Sequence, residues 1–310
     1  MNNKVLLSVL GLLVLIFVST NFFKKNNSKV ILQTDLISID SLKVNQIDIF
    51  NQNSDTITII KDTDTWFVKN NIIETNAKLS EISRILDELS KIKIERLISK
   101  SKESWEKYQL SDSLVTKLVI FQGSKKLDLY LGKINYNAPE GNNQFNQQQN
   151  FIVKTNVRVN DDPRVYLIDG FLGMTFNRDI NAFRSNEFIS FDKSMIRELK
   201  FNTSNDSSFV LSKSDTIWKF GEIIVDQSKI DNYLNELSNT IITNYDDEFE
   251  VTNEVPSSLR IIGDNMIDLQ VLAYKKDEKY ILESSLNKNS FNSLTVDEYE
   301  KVFINLEDLF

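Results

Sequence analysis

Cysteine and histidine are both absent from the 310 residues. Without imidazole there is no Ser-His-Asp or Cys-His nucleophilic engine. Without thiols there is no disulfide frame, no CxxC redox pair and no Cys-rich zinc or iron–sulfur site. Carboxylates, Lys, Tyr and hydroxyls are the reactive groups that remain. Proline and glycine are scarce, at 3 and 8 residues, which leaves little room for a long flexible tail of the usual composition. Alanine is scarcer still, with 4 residues against 34 Asn. That imbalance reads as an A+T-rich coding bias, so an isolated Asn carries no functional signal. Walker, dinucleotide-loop and HExxH motifs are missing too. No cofactor is expected.

Charge is unevenly spread. Lys4, Lys24, Lys25 and Lys29 lie in the first thirty residues, which hold no acid. The rest carries 32 basic and 44 acidic residues, a net of −12. Such a body repels phosphate backbones, so nucleic acid is not an expected partner. Val5 to Phe23 reads VLLSVLGLLVLIFVSTNFF, uncharged, with Ser8 the lone polar side chain up to Val18. A helix of that length rises roughly 28 Å and just crosses a bilayer core of about 30 Å. A cleaved signal peptide is the competing reading, but Val18-Ser19-Thr20 matches the small-residue cleavage pattern poorly. Charge counting across the two flanks leaves the orientation of the body open.

After a polar tether comes a pattern written twice. In the first copy Gln46 to Phe50, Thr56 to Ile60 and Thr65 to Val68 alternate as strands. A helix then runs from Leu79 to Ile92, with Leu79, Ile82, Ile85, Leu86, Leu89 and Ile92 on one stripe. In the second copy Arg197 to Phe201, Phe209 to Leu211 and Ile217 to Phe220 precede a helix. Asp226 caps that helix and Ile230, Tyr233, Leu234, Leu237 and Ile241 face inward. Trp66 and Trp218 stand 152 residues apart at matching strand positions, and the helices share a LxxLS signature at Leu86/Leu89 and Leu234/Leu237. Meander strands follow in each copy: Leu118 to Phe121, Leu127 to Leu131, Phe151 to Val153 and Val165 to Leu167, then Leu259 to Ile262, Ile267 to Ala273 and Lys279 to Leu282. Helix-like segments, Phe171 to Phe183 and Val296 to Phe303, close the copies. The expected fold is α+β: an N-terminal transmembrane helix, then two tandem repeated units, each an antiparallel β meander with one or two packed helices. The divisions are 1–23 for tail and anchor, 24–39 for the tether, 40–190 for the first unit and 191–310 for the second.

Few residues invite a chemical reading. Asp62-Thr63-Asp64 lacks the Gly and distal Glu of a calcium loop and reads as a turn. Trp66 and Trp218 read as core, not as sugar platforms. The polar loop around Asn142, Asn143, Gln144 and Phe145 reads as an insertion between meander strands, or as a partner-contacting loop. Arg178 and Arg184 stand out because Arg is scarce beside Lys, and bidentate pairing with a carboxylate at the junction between units is expected. The acid run Asp246-Asp247-Glu248-Phe249-Glu250 reads as a solvated face; paired acids for hydrolysis would be sought there first.

Several of these segments together resemble a bacterial membrane-anchored family, domain of unknown function 4340. They are the apolar N-terminus, Thr65-Trp66-Phe67-Val68, the LxxLS helix, Tyr108-Gln109-Leu110, Leu129-Tyr130-Leu131-Gly132-Lys133, Val165-Tyr166-Leu167-Ile168 and Phe183-Arg184-Ser185. The family usually has Tyr-Gly-Leu where this chain has Tyr108-Gln109-Leu110. The resemblance implies a periplasmic body on a single-pass helix in the bacterial cytoplasmic membrane. It also implies encoding beside auxiliary subunits of ABC transporters, including those of gliding-motility type, and no established activity. Two functions stay open: an envelope accessory or scaffold protein contacting membrane transporter subunits, and an envelope hydrolase using paired carboxylates.

Overall fold

The computed structural model describes residues 36–51, 56–137, 152–203 and 208–310. Val5 to Phe23, and the loop residues Asn142, Asn143, Gln144 and Phe145, lie outside them. Among the described residues no helix is long and apolar enough to cross a membrane.

The architecture is α+β, dominated by antiparallel sheets. Strands β1 (Val44–Phe50), β2 (Ile57–Asp62), β3 (Thr65–Lys69) and β4 (Glu74–Asn76) form one flank of the first sheet. Helix α1 (Leu79–Ser90) follows, then β5 (Ile94–Ser99), β6 (Thr116–Gln122), β7 (Lys125–Asn137), β8 (Ile152–Val159) and β9 (Val165–Asp169). In space the nine strands run β4-β3-β2-β1-β6-β7-β8-β9-β5. Alternation makes the layer: Ile47, Ile49, Ile57, Ile59 and Val68 point to one side and are sealed there by Ile82, Ile85 and Leu89 of α1. Leu86 is half-buried against the same cluster. Leu79 departs from the expected stripe and is 61% exposed, because the helix starts there and its first turn projects beyond the packed face. Ile37 and Ile39, at the end of the tether, are buried in this core.

The closing segment of this half is a short helix, α2 (Leu172–Phe176), and a 3-10 turn, Ile180–Ala182. The helix-like segment expected at Phe171 to Phe183 is thus divided in two. Strand β10 (Glu187–Ser190) then leads into β11 (Ile196–Asn202), β12 (Ser208–Ser214), β13 (Ile217–Phe220), β14 (Ile223–Ile224) and helix α3 (Gln227–Leu237). Strands β15 (Asn239–Ile241), β16 (Ser257–Gly263), β17 (Leu269–Lys276), β18 (Lys279–Ser284) and β19 (Asn292–Leu294) follow, then helix α4 (Val296–Val302) and a 3-10 turn, Leu306–Leu309. The second sheet runs β14-β13-β12-β11-β16-β17-β18-β19 and has its own apolar cluster around Trp218, Leu211, Leu234 and Leu237. Ile267 lies two residues before β17, in the connection from β16, and is 92% exposed; the strand starts later than expected.

The two sheets are repeat-like in detail. A register shift interrupts β1 against β6 between Val44 and Gln46, and β11 against β16 between Ile196 and Glu198, the same place 152 residues on. The hairpin residues Thr63 and Asp215 share that offset and adopt left-handed backbone, with φ of 53° and 55°. The residue before each main helix donates a matching backbone bond to the closing segment. Lys78 N–H donates to Phe183 O, and Asp226 N–H to Leu309 O, both at 2.8 Å. One pairing differs. Strand β5 completes the first sheet beside β9, whereas β15 leaves the second sheet to pair with β10. The outer side of β19 keeps a single bridge, Tyr245 to Asn292.

Candidate functional site

Arg184 follows the 3-10 turn of the first half, and its backbone bridges to Ala77. Its side chain is 1% exposed. Nη1 donates to Asp247 Oδ1 at 2.7 Å, across the boundary between the two apolar clusters. The guanidinium also lies 3.1 Å from the ring centroid of Tyr245. Pairing is through one nitrogen, not the bidentate fork; Nε and Nη2 make no hydrogen bond within the described residues. A buried guanidinium is tolerated when a carboxylate and a ring face replace its hydration. Burial pushes the half-buried Tyr245 hydroxyl above the usual phenol range, against the opposing pull of the Arg184 charge.

Neutral bonds cross the same boundary. Thr75 Oγ1 donates to Asn287 Oδ1 at 2.7 Å, and Asn76 Nδ2 to Leu286 O at 2.9 Å. Asn287 Nδ2 and the Tyr245 hydroxyl both donate to Ser185 O. This is a polar seam, and its members come from strands and loops far apart in the chain.

The acid run is divided between partners. Asp247 holds Arg184, and Asp246 accepts from Lys276 Nζ at 2.8 Å. Phe249 wedges between the rings of Tyr274 and Phe291, at 5.4 and 5.2 Å. Among the described residues no group of three or more acids is placed to hold a metal ion. Arg178 sits inside the first half, not at the junction. It pairs with Glu81 of α1, and its Nε donates to Thr175 O at 2.8 Å. Glu81 also accepts from Arg84 at 2.7 Å. Arg84 first, then Arg178, holds the Glu81 carboxyl down at about 2, outweighing the upward effect of burial.

Trp66 and Trp218 face their own cores, at 8% and 1% exposure. An open groove of about 760 Å³ runs in the second half between α4 with its 3-10 turn and residues of β12, β13 and β18. Phe209, Phe220, Tyr280, Tyr299 and Phe303 supply its apolar wall. Tyr299 stacks between Tyr280 (3.7 Å) and Phe303 (4.8 Å), and burial raises the Tyr299 hydroxyl above its ordinary value. Glu300, Glu307 and Asp308 are exposed on the rim. None of the three makes an ion pair among the described residues, and no basic residue lines the groove. Sequence reasoning missed this site. Its signal was the Tyr299/Phe303 pair one helical turn apart, beside an acid-rich turn.

The family described as Domain of unknown function (DUF4340) matches residues 66–259, from β3 to β16. The chain belongs to this family. No match is found among curated proteins, and none among solved structures. The DUF4340 match takes in Arg184 and Asp247 and stops short of α4 and the aromatic wall it carries.

Two of the short segments typical of DUF4340 proteins touch in this chain. Gln109, where the family usually has Gly, adopts left-handed backbone with φ of 55°, the conformation glycine favours. The turn brings Tyr108 O to Lys133 N–H at 2.8 Å. A Cβ at Gly132 would meet that carbonyl at 2.3 Å, so only glycine fits beneath the turn. Beside it the Arg158 guanidinium is clasped between Trp105 and Tyr130, 3.9 and 3.5 Å from their ring centroids, and Nη2 donates to Asp112 at 2.7 Å. The segment thus caps the sheet face opposite α1.

Proposed function

We propose that this DUF4340 chain is a membrane-anchored accessory or scaffold protein. Its body, two tandem repeated units at 40–190 and 191–310, stands outside the cytoplasmic membrane on Val5 to Phe23. It works by contact with subunits of an ABC-type transporter. One observation carries the reading: the buried Arg184–Asp247 pair and the seam around it join the two halves into one platform. A fixed platform on a short tether keeps its surfaces at high effective concentration beside a neighbouring membrane protein.

Support also comes from how the carboxylates are used. A hydrolase with paired acids needs an enclosed acid held protonated. Asp246 and Asp247 are committed to Lys276 and Arg184, and among the described residues the carboxylates whose affinity for protons is moved (Asp40, Glu81, Asp128, Asp162, Asp192 and Glu298) are all lowered. The groove acids are exposed on its rim.

Protease added to intact spheroplasts should digest the body, and crosslinking beforehand should join it to a transporter subunit. Full protection would overturn the topology. Accessible protein that joins no transporter subunit, yet cleaves an envelope polymer when purified, would replace the scaffold with the hydrolase.

A further inference from the structure

We propose that the groove beneath α4 is a docking site for a basic segment of a partner protein, one presenting Lys or Arg beside apolar side chains. The proposal rests on the reading of the chain as a contact protein and names the chemistry of one contact.

The two halves differ at this place. Counting 152 residues on from Ile57 and Val68 gives Phe209 and Phe220. Ile57 and Val68 are sealed, at 2% and 0% exposure, while Phe209 and Phe220 are half-buried on the groove wall. In the first half Asn51 Nδ2 donates to Phe176 O and Arg178 O, which ties the end of β1 to the closing segment.

The closing segments correspond at a different offset, 126 residues. It relates Phe183 to Leu309, the carbonyls that receive the helix-cap N–H groups, and also the ends of α2 and α4, Phe176 and Val302. By that offset Arg178 becomes Ile304, while Met174, Asn181 and Ala182 become Glu300, Glu307 and Asp308. The first half carries its own cation at its closing segment and no acid at those three positions. The second has three rim carboxylates and no cation lining the groove.

That combination selects a ligand. Unpaired carboxylates beside aromatic rings favour a cation that can be partly desolvated. The aliphatic stem of Lys or Arg covers apolar wall while its head reaches the rim. The volume, about 760 Å³, takes several side chains, within the roughly 300–1,000 Å³ of ordinary binding clefts. An acidic ligand is repelled, and a wholly apolar one leaves the rim unanswered.

The test uses the full chain in mild detergent and a fluorescein-labelled hexapeptide of alternating Lys and Leu, read by anisotropy against detergent alone. Saturable binding is expected, weaker at higher salt. The triple variant Glu300→Gln, Glu307→Gln, Asp308→Asn should bind about tenfold more weakly. A second triple, Glu103→Gln, Glu106→Gln, Asp161→Asn, removes the same charge from exposed positions in the first half and should bind as the parent does. All three residues of the rim are exposed, so melting temperatures should agree. No saturable binding, or equal weakening in both triples, would overturn the proposal. Crosslinking to a transporter with no peptide binding would discard the groove and keep the scaffold. Peptide binding with no crosslink would do the reverse.

Discussion

Ile57 and Val68 close the wall of the first half, while Phe209 and Phe220, at the same places in the second, border open space. The sheets share strand order up to the added β5, and they share bulge position and helix tie, so the difference at this wall is not one of scaffold. It lies in what the closing segment carries. Arg178 turns inward to Glu81 and spends its charge within the first half. Glu300, Glu307 and Asp308 meet no such partner among the described residues. A repeat-like frame thus has one half whose closing segment is satisfied internally and one whose rim carboxylates face out, and the polar seam joins the two.

The comparison is broken most severely at the tryptophans. Trp218→Ala should cost about 3–5 kcal/mol in denaturant unfolding, and Trp66→Ala somewhat less because its ring is closer to solvent. Losses below about 1 kcal/mol at both sites would show that neither ring is core. At the seam, Asp247→Asn leaves a buried guanidinium without its anion. A loss of about 2–3 kcal/mol is expected, below that of a fully enclosed pair because Asp247 is partly open. Asp246→Asn, at a more exposed pair, should cost under about 1 kcal/mol. A seam variant should also separate the unfolding of the two halves into distinct calorimetric transitions.

Acid titration distinguishes the halves next. The folded Glu81 carboxyl lies near 2, below its ordinary 4.5. Its stabilisation is therefore complete above pH 4.5 and is lost as pH falls toward 2. Glu81→Gln should flatten that limb by about 1–2 kcal/mol, allowing for solvent screening. The second half has a cation, Lys229, at the third residue of α3, where α1 has Glu81, so it offers no matching carboxylate. The family turn gives effects of both signs. Gly132→Ala should cost about 1–3 kcal/mol through its clash with Tyr108 O. Gln109→Gly should gain about 0.5 kcal/mol by relieving left-handed backbone, less the entropy of glycine.

Local pattern made much of the frame readable. Alternation marked β1 to β3 and β11 to β13, and the apolar stripes marked α1 and α3, because each buries one face. Strands β4, β14 and β19 hold two or three residues, too few for a period to show. Ile94 of β5 pairs with Ile168, and Arg184 with Asp247, across separations that no local pattern encodes. The 152-residue offset was visible in the tryptophans. The 126-residue offset of the closing segments was not, because intervening strands and loops differ in length. The groove was hidden for another reason. Tyr299 and Phe303 sit one turn apart like any core stripe, and only tertiary placement leaves their edge open.

The most direct test of this account places a photoreactive side chain at Glu307 in the groove, or at Asn181, its counterpart in the first half, in otherwise unaltered chains in living cells. Illumination should produce an adduct with a membrane transporter subunit from position 307 and little or none from position 181. Equal adducts from both positions, adducts from 181 alone, or none with any transporter subunit would contradict the account.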